Sequence, residues 1–165
     1  MWATDHAEWR VMAFDTDLVG TYGYCCDISR TWMVGDAKPN AEQRKLYQVA
    51  YEHVMQNIEL IEVGMSFVEM TEKAHRLPEE YRALRYGVLA HGVGLCDEYP
   101  CVRYPEDVAA HGYGGAFEAG MTICVEAYVG AVGGKDGIKL EEQVLVTDKG
   151  AVALSNYRYE DDFLV

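Results

Sequence analysis

The amino-acid sequence predicts an α+β fold in which helices cover the outer face of a strongly curved, antiparallel sheet. Three observations favour this class. β-prone stretches open the chain, segments with helix start signals follow, and the rest of the chain is again β-like and broken by glycines. No repeat, low-complexity tract or linker divides the 165 residues, so we expect one domain with one core.

The opening strands are predicted from the alternation of side chains. Over residues 9–17 the side chains alternate between two faces, and Asp15 and Asp17 come at the end of the stretch. Two glycines then indicate a turn, and residues 24–32 form a second β-prone stretch that carries Asp27. Acidic residues are therefore expected on or at the ends of the first strands.

A long helix is predicted next. Asn40, followed three residues later by Gln43, is a capping-box signal, and apolar residues then recur close to helical spacing. This pattern continues to about Glu62, and Gly64 provides the stop.

Further helical segments and four strands complete the predicted order. Ser66 with Glu69 is a second helix start signal, and Pro78 suits the first turn of a short helix. β-like stretches then follow at residues 88–95, 121–128, 138–147 and 151–155.

Charge and cysteine content bear on where the protein works. There are 14 Lys and Arg residues against 27 Asp and Glu residues, so nucleic acid and anionic membrane surfaces are unfavourable partners. The five cysteines are odd in number and include a vicinal pair, which favours a reduced, cytoplasmic setting. The first ten residues contain charges and no apolar run, so we expect no signal peptide or membrane anchor at this start.

Ionisable residues occupy positions that a sheet interior usually gives to apolar side chains. The predicted strands should be apolar on their inner face and instead carry Asp15, Asp27, His91, Glu126 and Glu141. Carboxylates gathered in a partly buried site repel one another and lose hydration, and a divalent cation relieves both costs. Each residue alone could face water or pack in the core, but their joint placement predicts a shared metal centre.

The order of these residues resembles the signature of the pita-bread metallopeptidase superfamily, which includes methionine aminopeptidase, aminopeptidase P, prolidase and creatinase. The motifs FDTD, CDISRTW, AHGVGL, CVEAY and KLEEQVLVT carry the resemblance over nearly the whole chain. The resemblance implies two divalent metals. Their ligands would be Asp27 and Glu141 as bridges, His91 and Glu126 on one metal, and Asp15 and Asp17 on the other. Glu142 should point to the opposite face of its strand, so we do not expect it to bind metal.

Two departures from the peptidase pattern indicate one branch of the superfamily. The first two ligand aspartates of the peptidases are eleven residues apart, whereas Asp27 lies ten residues after Asp17 and twelve after Asp15. The peptidases also carry a second His just after the metal-binding His, and in HGVGLCDEYP that place is taken by Asp97 or Glu98. In both respects the chain is similar to the dimethylsulfoniopropionate lyases of this superfamily.

The resemblance implies a metal-dependent lyase that cleaves dimethylsulfoniopropionate to dimethyl sulfide and acrylate by β-elimination. Asp97 would act as the base, because a carboxylate beside a metal suits removal of a proton from carbon. The resemblance implies that Tyr86 approaches the sulfonium through a cation–π contact, whereas the residue alone fits an aromatic packed on a strand equally well. The ligand types accept iron, zinc, manganese or cobalt, and the resemblance favours iron. The small sulfonium carboxylate is then the expected partner, and a homodimer the expected assembly.

The resemblance also predicts how much of the catalytic domain the chain contains, and two other functions remain as alternatives. Residues 1–165 would form the C-terminal portion of a pita-bread catalytic domain, without its first half and N-terminal domain, and would bind metal weakly and turn over poorly alone. A proline-specific or aminoterminal metallopeptidase would share every metal ligand. A non-catalytic binding remnant would keep the fold and lose the chemistry.

Overall fold

The computed structural model of the chain describes residues 11–165, so the part of the first predicted strand at residues 9–10 lies outside the described residues. The strands within the described range are β1 (Val11–Asp15), β2 (Leu18–Val19), β3 (Cys25–Cys26), β4 (Ser29–Met33), β5 (Val88–Gly92), β6 (Cys101–Arg103), β7 (Thr122–Gly130), β8 (Gly137–Thr147) and β9 (Gly150–Ala153). The helices there are α1 (Ala41–Leu60), α2 (Phe67–Lys73), α3 (Glu79–Arg82), α4 (Pro105–His111) and α5 (Asp161–Leu164). None of these helices is long and apolar enough to cross a membrane.

Seven of the strands form one antiparallel sheet in the order β1-β4-β8-β7-β5-β6, and β9 pairs with β8 beside this path. The strands β2 and β3 form a separate two-stranded ribbon. The predicted class, α+β with an antiparallel sheet, is confirmed.

Helix α1 packs on β7 and β8 and covers one face of the sheet. The Asn40 side chain accepts a hydrogen bond from the Gln43 N–H at 2.9 Å, and the Gln43 side chain accepts one from the Asn40 N–H at 2.9 Å, so the predicted capping box is present. Because strand side chains alternate, the apolar residues of β7 and β8 that join the core with α1 leave their neighbours on the opposite face. That opposite face carries the polar residues described below.

The predicted strand at residues 24–32 is interrupted in the structure at Asp27 and Ile28. The Thr16 hydroxyl accepts a hydrogen bond from the Ile28 N–H and donates one to the Ile28 carbonyl, both at 3.0 Å. These bonds satisfy the backbone where strand pairing stops, so the chain can leave β3 and enter β4 with a different partner strand. Asp27 therefore lies in an interruption between strands and not within one.

Two further differences concern elements that show little periodicity. The strand predicted at 88–95 ends at Gly92, whose N–H donates to the Pro100 carbonyl at 2.6 Å as the chain turns away. The three-residue strand β6 and the helix α4 were not predicted, because neither is long enough to establish a hydrophobic pattern.

The predicted start at Ser66 is confirmed, since its hydroxyl accepts the Glu69 N–H at 3.0 Å.

Candidate metal centre

A row of polar side chains crosses four neighbouring strands. Asp15 of β1 lies opposite Ser29 of β4, Ser29 lies opposite Glu141 of β8, and Glu141 lies opposite Glu126 of β7. Residues directly opposite one another in an antiparallel pair share a face, with Cβ atoms about 4.5–5.5 Å apart. The sheet register therefore brings together three carboxylates that are far apart in the sequence.

His91 of β5 completes this row from the side of β7. Its ring is 1% exposed, and its Nε2 atom lies 3.1 Å from Glu141 Oε1 and 3.6 Å from Glu126 Oε1. The same nitrogen is 4.0 Å from Asp27 Oδ2. One imidazole nitrogen thus faces three predicted carboxylate ligands.

Asp17 and Asp27 lie in the two connections between the large sheet and the β2–β3 ribbon, Asp17 between β1 and β2 and Asp27 between β3 and β4. The Asp17 N–H donates to Asp27 Oδ1 at 3.4 Å, and the Asp27 N–H donates to Gln143 Oε1 at 3.2 Å. Asp17 has a φ of 27°, a conformation that Asp adopts more readily than most residues. This turn directs the Asp17 carboxylate towards Asp27.

Three overlapping groups offer ligand atoms that all lie within 4.8 Å of one another: Asp15, Asp27 and Glu141; Asp17, Asp27 and Asp97; and His91, Cys124 and Glu141. Five of the six predicted ligands belong to these groups. Glu126 does not, although its Oε1 atom faces the His91 ring. The thiol of Cys124 is buried and lies against the candidate ligands His91 and Glu141.

Burial and mutual repulsion change the protonation of this centre. Burial, followed by the charges of Glu141 and Asp17, raises the pKa of Asp27 to about 7. Burial and the charge of Glu141 raise the pKa of Glu126 to about 8. Burial alone would lower the pKa of His91, but its hydrogen bond to Glu141 and the charge of Glu126 outweigh this effect and raise the pKa to about 9. The raised pKa values mean that Asp27 and Glu126 hold protons at a pH where isolated carboxyls would be ionised.

Two observations indicate that the centre suits a divalent cation. The Ser29 hydroxyl lies 2.5 Å from Asp15 Oδ1 and 2.7 Å from Glu141 Oε2, yet its single proton can be donated to only one of them. Glu126 Oε1 is buried and has no hydrogen-bond partner. Such oxygen atoms are satisfied by metal coordination, and carboxylates with one imidazole fit iron, manganese, cobalt or zinc.

Lys139 belongs to the centre and was missed in the sequence. Its Nζ atom lies 2.5 Å from Glu126 Oε2, 3.1 Å from Asp15 Oδ2 and 3.5 Å from Glu141 Oε2. A signal was available, because Lys139 precedes Glu141 by two residues and strand periodicity places both on one face. Ser29 was also missed, because Asp27, two residues before it, lies in the interruption ahead of β4 and is not related to Ser29 by the strand period.

Asp97 and Tyr86 lie at two different borders of the centre. Asp97 Oδ1 is 3.8 Å from His91 Nδ1, and the Asp97 side chain is 29% exposed. Tyr86 has its ring 4.6 Å from the Lys139 ammonium and its hydroxyl 3.4 Å from Glu98 Oε1. Tyr86 also lines a cavity of about 330 Å³ with Lys139 and Asp15. Glu142, as expected, points away and pairs with Arg30 at 2.6 Å.

The fold and the polar row agree with a known family of enzymes. Residues 9–148 match the metallopeptidase family M24, so the chain belongs to that family. Metallopeptidases are metal-dependent enzymes, in agreement with the candidate ligand groups.

Two of the most similar relatives are named as lyases and another as a dipeptidase. The chain is 50% identical over 151 residues to the dimethylsulfoniopropionate lyase DddP of Roseovarius nubinhibens, covering 92% of this chain and 34% of that protein. It is 45% identical to the DddP of Roseobacter denitrificans, with the same coverage, and 33% identical to an Xaa-Pro dipeptidase of Pyrococcus furiosus, covering 87% of this chain and 40% of that protein. The chain thus spans about a third of the length of these lyases.

Solved structures show the same architecture. The prolidase from Pyrococcus furiosus superposes with a TM-score of 0.73 at 28% identity, over 90% of this chain and 42% of the prolidase. An Escherichia coli aminopeptidase P variant gives a TM-score of 0.70 at 21% identity, over 93% of this chain and 40% of that protein. The predicted relationship to the pita-bread fold is confirmed.

Proposed function

We propose that the protein is a metal-dependent carbon–sulfur lyase that cleaves dimethylsulfoniopropionate to dimethyl sulfide and acrylate. The observation that carries the proposal is the position of Asp97, whose carboxylate lies within 4.8 Å of ligand atoms of Asp17 and Asp27. Identity of 50% to a protein named as this lyase supports the choice of substrate.

The proposed ligands are those predicted from the sequence: Asp15, Asp17, Asp27, His91, Glu126 and Glu141. The proposal includes two divalent ions, with iron favoured over zinc, manganese and cobalt, a homodimeric assembly and a cytoplasmic location. When bound, the metals would hold the substrate carboxylate and make the neighbouring C–H bond more acidic. The row across the sheet supports this assignment, since His91 and Glu126 lie on one side of Glu141 and Asp15 lies on the other.

Asp97 would remove the proton from the carbon next to the substrate carboxylate. The electron pair of that C–H bond forms the C=C bond of acrylate. The C–S bond breaks at the same time, and dimethyl sulfide leaves with the electron pair of that bond. The proton on Asp97 then returns to water, to which the partly exposed side chain has access. The Glu98 N–H donates to Asp97 Oδ1 at 3.1 Å and so orients the carboxylate.

Tyr86 is proposed to contact the sulfonium. Burial and the charge of Glu126 raise the pKa of its hydroxyl, so the ring stays a neutral phenol that attracts cations. One contact of the ring is taken by the Lys139 ammonium, 4.6 Å from the centroid. The sulfonium would therefore use the other face, and the 38% exposure of Tyr86 leaves part of the side chain accessible.

The test is dimethyl sulfide release from dimethylsulfoniopropionate, measured in headspace gas for the metal-loaded chain. Because the chain spans 34% of its relatives, a chimera in which it replaces the matching third of the Roseovarius nubinhibens lyase is assayed in parallel. Asp97→Asn should lose about 10²–10⁴-fold in turnover, the usual contribution of a positioned base. The exposed Asp148→Asn is the matched control and should retain parent activity.

Metal content of the variants separates the role of base from that of ligand. A base variant keeps the parent's bound metal, whereas a ligand variant such as Asp27→Asn loses part of it. No dimethyl sulfide from a metal-loaded chimera would contradict the lyase and would direct attention to Xaa-Pro dipeptides as substrates.

A further inference from the structure

Lys139 is a cation enclosed among the carboxylates of the metal centre. It is 8% exposed, and its ammonium contacts Glu126 Oε2, Asp15 Oδ2 and Glu141 Oε2 at 2.5, 3.1 and 3.5 Å. All three residues are proposed ligands. The ammonium is therefore a counter-ion for the same oxygen atoms that a divalent metal would use.

The backbone of Lys139 is held in place, and its side chain is enclosed by the groups that its ammonium contacts. Its N–H donates to Thr31 Oγ1 at 3.0 Å, and its carbonyl accepts from the same hydroxyl at 2.7 Å. The Tyr86 ring covers the ammonium on another side, at 4.6 Å from the centroid. This arrangement fixes one positive charge next to the carboxylate row.

A fixed ammonium has two opposite effects on such a site. It attracts Glu126 and Asp15 and thereby holds their side chains in place. It also repels a divalent cation at a distance of a few ångströms, and this repulsion is strong because neither charge is well hydrated in the interior. The second effect reduces metal affinity, while the first preserves the site between binding events.

We propose that Lys139 is a positioning residue of the metal centre that holds Asp15, Glu126 and Glu141 together and weakens the binding of divalent metal beside them. The proposal rests on the metal centre of the proposed function and adds a regulation of its affinity. Lysine and metal then compete as counter-ions for the same carboxylates. Removal of the lysine charge therefore tightens metal binding, and removal of the metal strengthens the attraction between the lysine and the carboxylates.

The test measures binding of Mn²⁺ to the full chain, with the free ion followed by electron paramagnetic resonance, together with the melting temperature. Lys139→Met keeps the aliphatic stem and removes the charge, and it should bind Mn²⁺ about 5–150-fold more tightly, the usual range of coupling between two ligands. Its melting temperature in chelator should fall below the parent's, and Mn²⁺ should raise it by more than it raises the parent's. Lys139→Arg keeps the charge and should bind like the parent, as should the exposed control Lys135→Met.

Mn²⁺ binding by Lys139→Met that equals or falls below that of the parent would overturn the role of Lys139 and leave the metal centre intact. A parent that binds no Mn²⁺ would overturn both. If Lys139→Met does not fold, Lys139→Gln replaces it, because glutamine is neutral and still offers Glu126 a hydrogen-bond donor.

Discussion

Arg30 and Glu142 form an ion pair that is almost fully enclosed, with side chains 3% and 6% exposed and a separation of 2.6 Å. The guanidinium also donates to the carbonyl oxygens of Glu141, at 2.5 Å, and of Tyr157, at 2.8 Å, and it stacks on the Tyr159 ring at 4.1 Å. The pair therefore links the back of the ligand strand β8 to the C-terminal segment. A buried ion is costly when its partner is removed, because it can neither find a new counter-charge nor return to water.

Arg30→Met is expected to destabilise the protein by about 3–5 kcal/mol, since Glu142 is left buried and unpaired. The double variant with Glu142→Leu should recover a large part of this loss. Urea unfolding measures both, and Lys38→Met serves as control because its partner Asp162 is exposed and such pairs contribute about 0–1 kcal/mol. Equal destabilisation by Arg30→Met and Lys38→Met would contradict the argument.

At this scale, residue type and strand placement singled out five candidate ligands, and the resemblance to the metallopeptidases added Asp17. Glu142 was correctly placed on the other face. Lys139 and Ser29 were missed because neither is unusual in a strand when considered alone. Their contacts with the candidate ligands come from the register between β1, β4 and β8, which joins residues more than a hundred positions apart. The spacing of Lys139 to Glu141 was a local signal, but it carries no meaning until that register is known.

The element that carries Asp97 is the loop of residues 93–100, and its path depends on the end of β5. The Gly92 N–H and the Pro100 carbonyl are joined at 2.6 Å, and the Cys25 N–H donates to the Gly94 carbonyl at 2.6 Å. A Cβ atom on Gly92 would collide with the Tyr99 carbonyl and with the Pro100 ring. Glycine is thus required here by a close backbone approach.

Gly92→Ala should displace the 93–100 loop and leave metal content close to that of the parent. Dimethyl sulfide release should fall about 10²-fold or more, because misplacement of a catalytic group by about 1 Å has a cost of that size. The control is Gly87→Ala, where the nearest neighbouring atom would be 3.6 Å from the new Cβ. Full activity of Gly92→Ala, measured in the same headspace assay, would show that the loop tolerates the shift.

Helix starts were the most predictable elements, because Asn40 and Ser66 act through side chains that bond backbone three residues away. The interruption at Asp27 was not predictable, since it depends on Thr16 and on two different partner strands. A β-prone composition does not report such a change of partner.

For the whole molecule, the protonation of the centre links stability to pH. The pKa of Asp27 is raised from 3.8 to about 7, that of Glu126 from 4.5 to about 8, and that of His91 from 6.5 to about 9. A group whose pKa is higher in the folded state stabilises folding below its unfolded value, and this contribution is lost as pH rises through the folded value. Each of the three groups therefore stabilises the folded state less as the pH rises from 6 to 9.

In the presence of chelator, the melting temperature should fall as the pH is raised from 6 to 9. Divalent metal should reverse part of this fall, because binding requires the deprotonated forms and becomes tighter as pH rises. Differential scanning calorimetry with chelator and with Mn²⁺ measures both effects. A melting temperature in chelator that is constant over this range would contradict the raised pKa values.

The polar row across β1, β4, β8 and β7 also has a consequence for how the chain folds. The Lys139–Asp15 and Ser29–Glu141 contacts close loops of 124 and 112 residues, so the metal-binding geometry exists only after the two ends of the chain have met. Loop closure of this kind slows folding, because its entropy is lost before the contacts form. We therefore expect metal uptake to follow the slowest folding phase, so that bound metal reports completed folding.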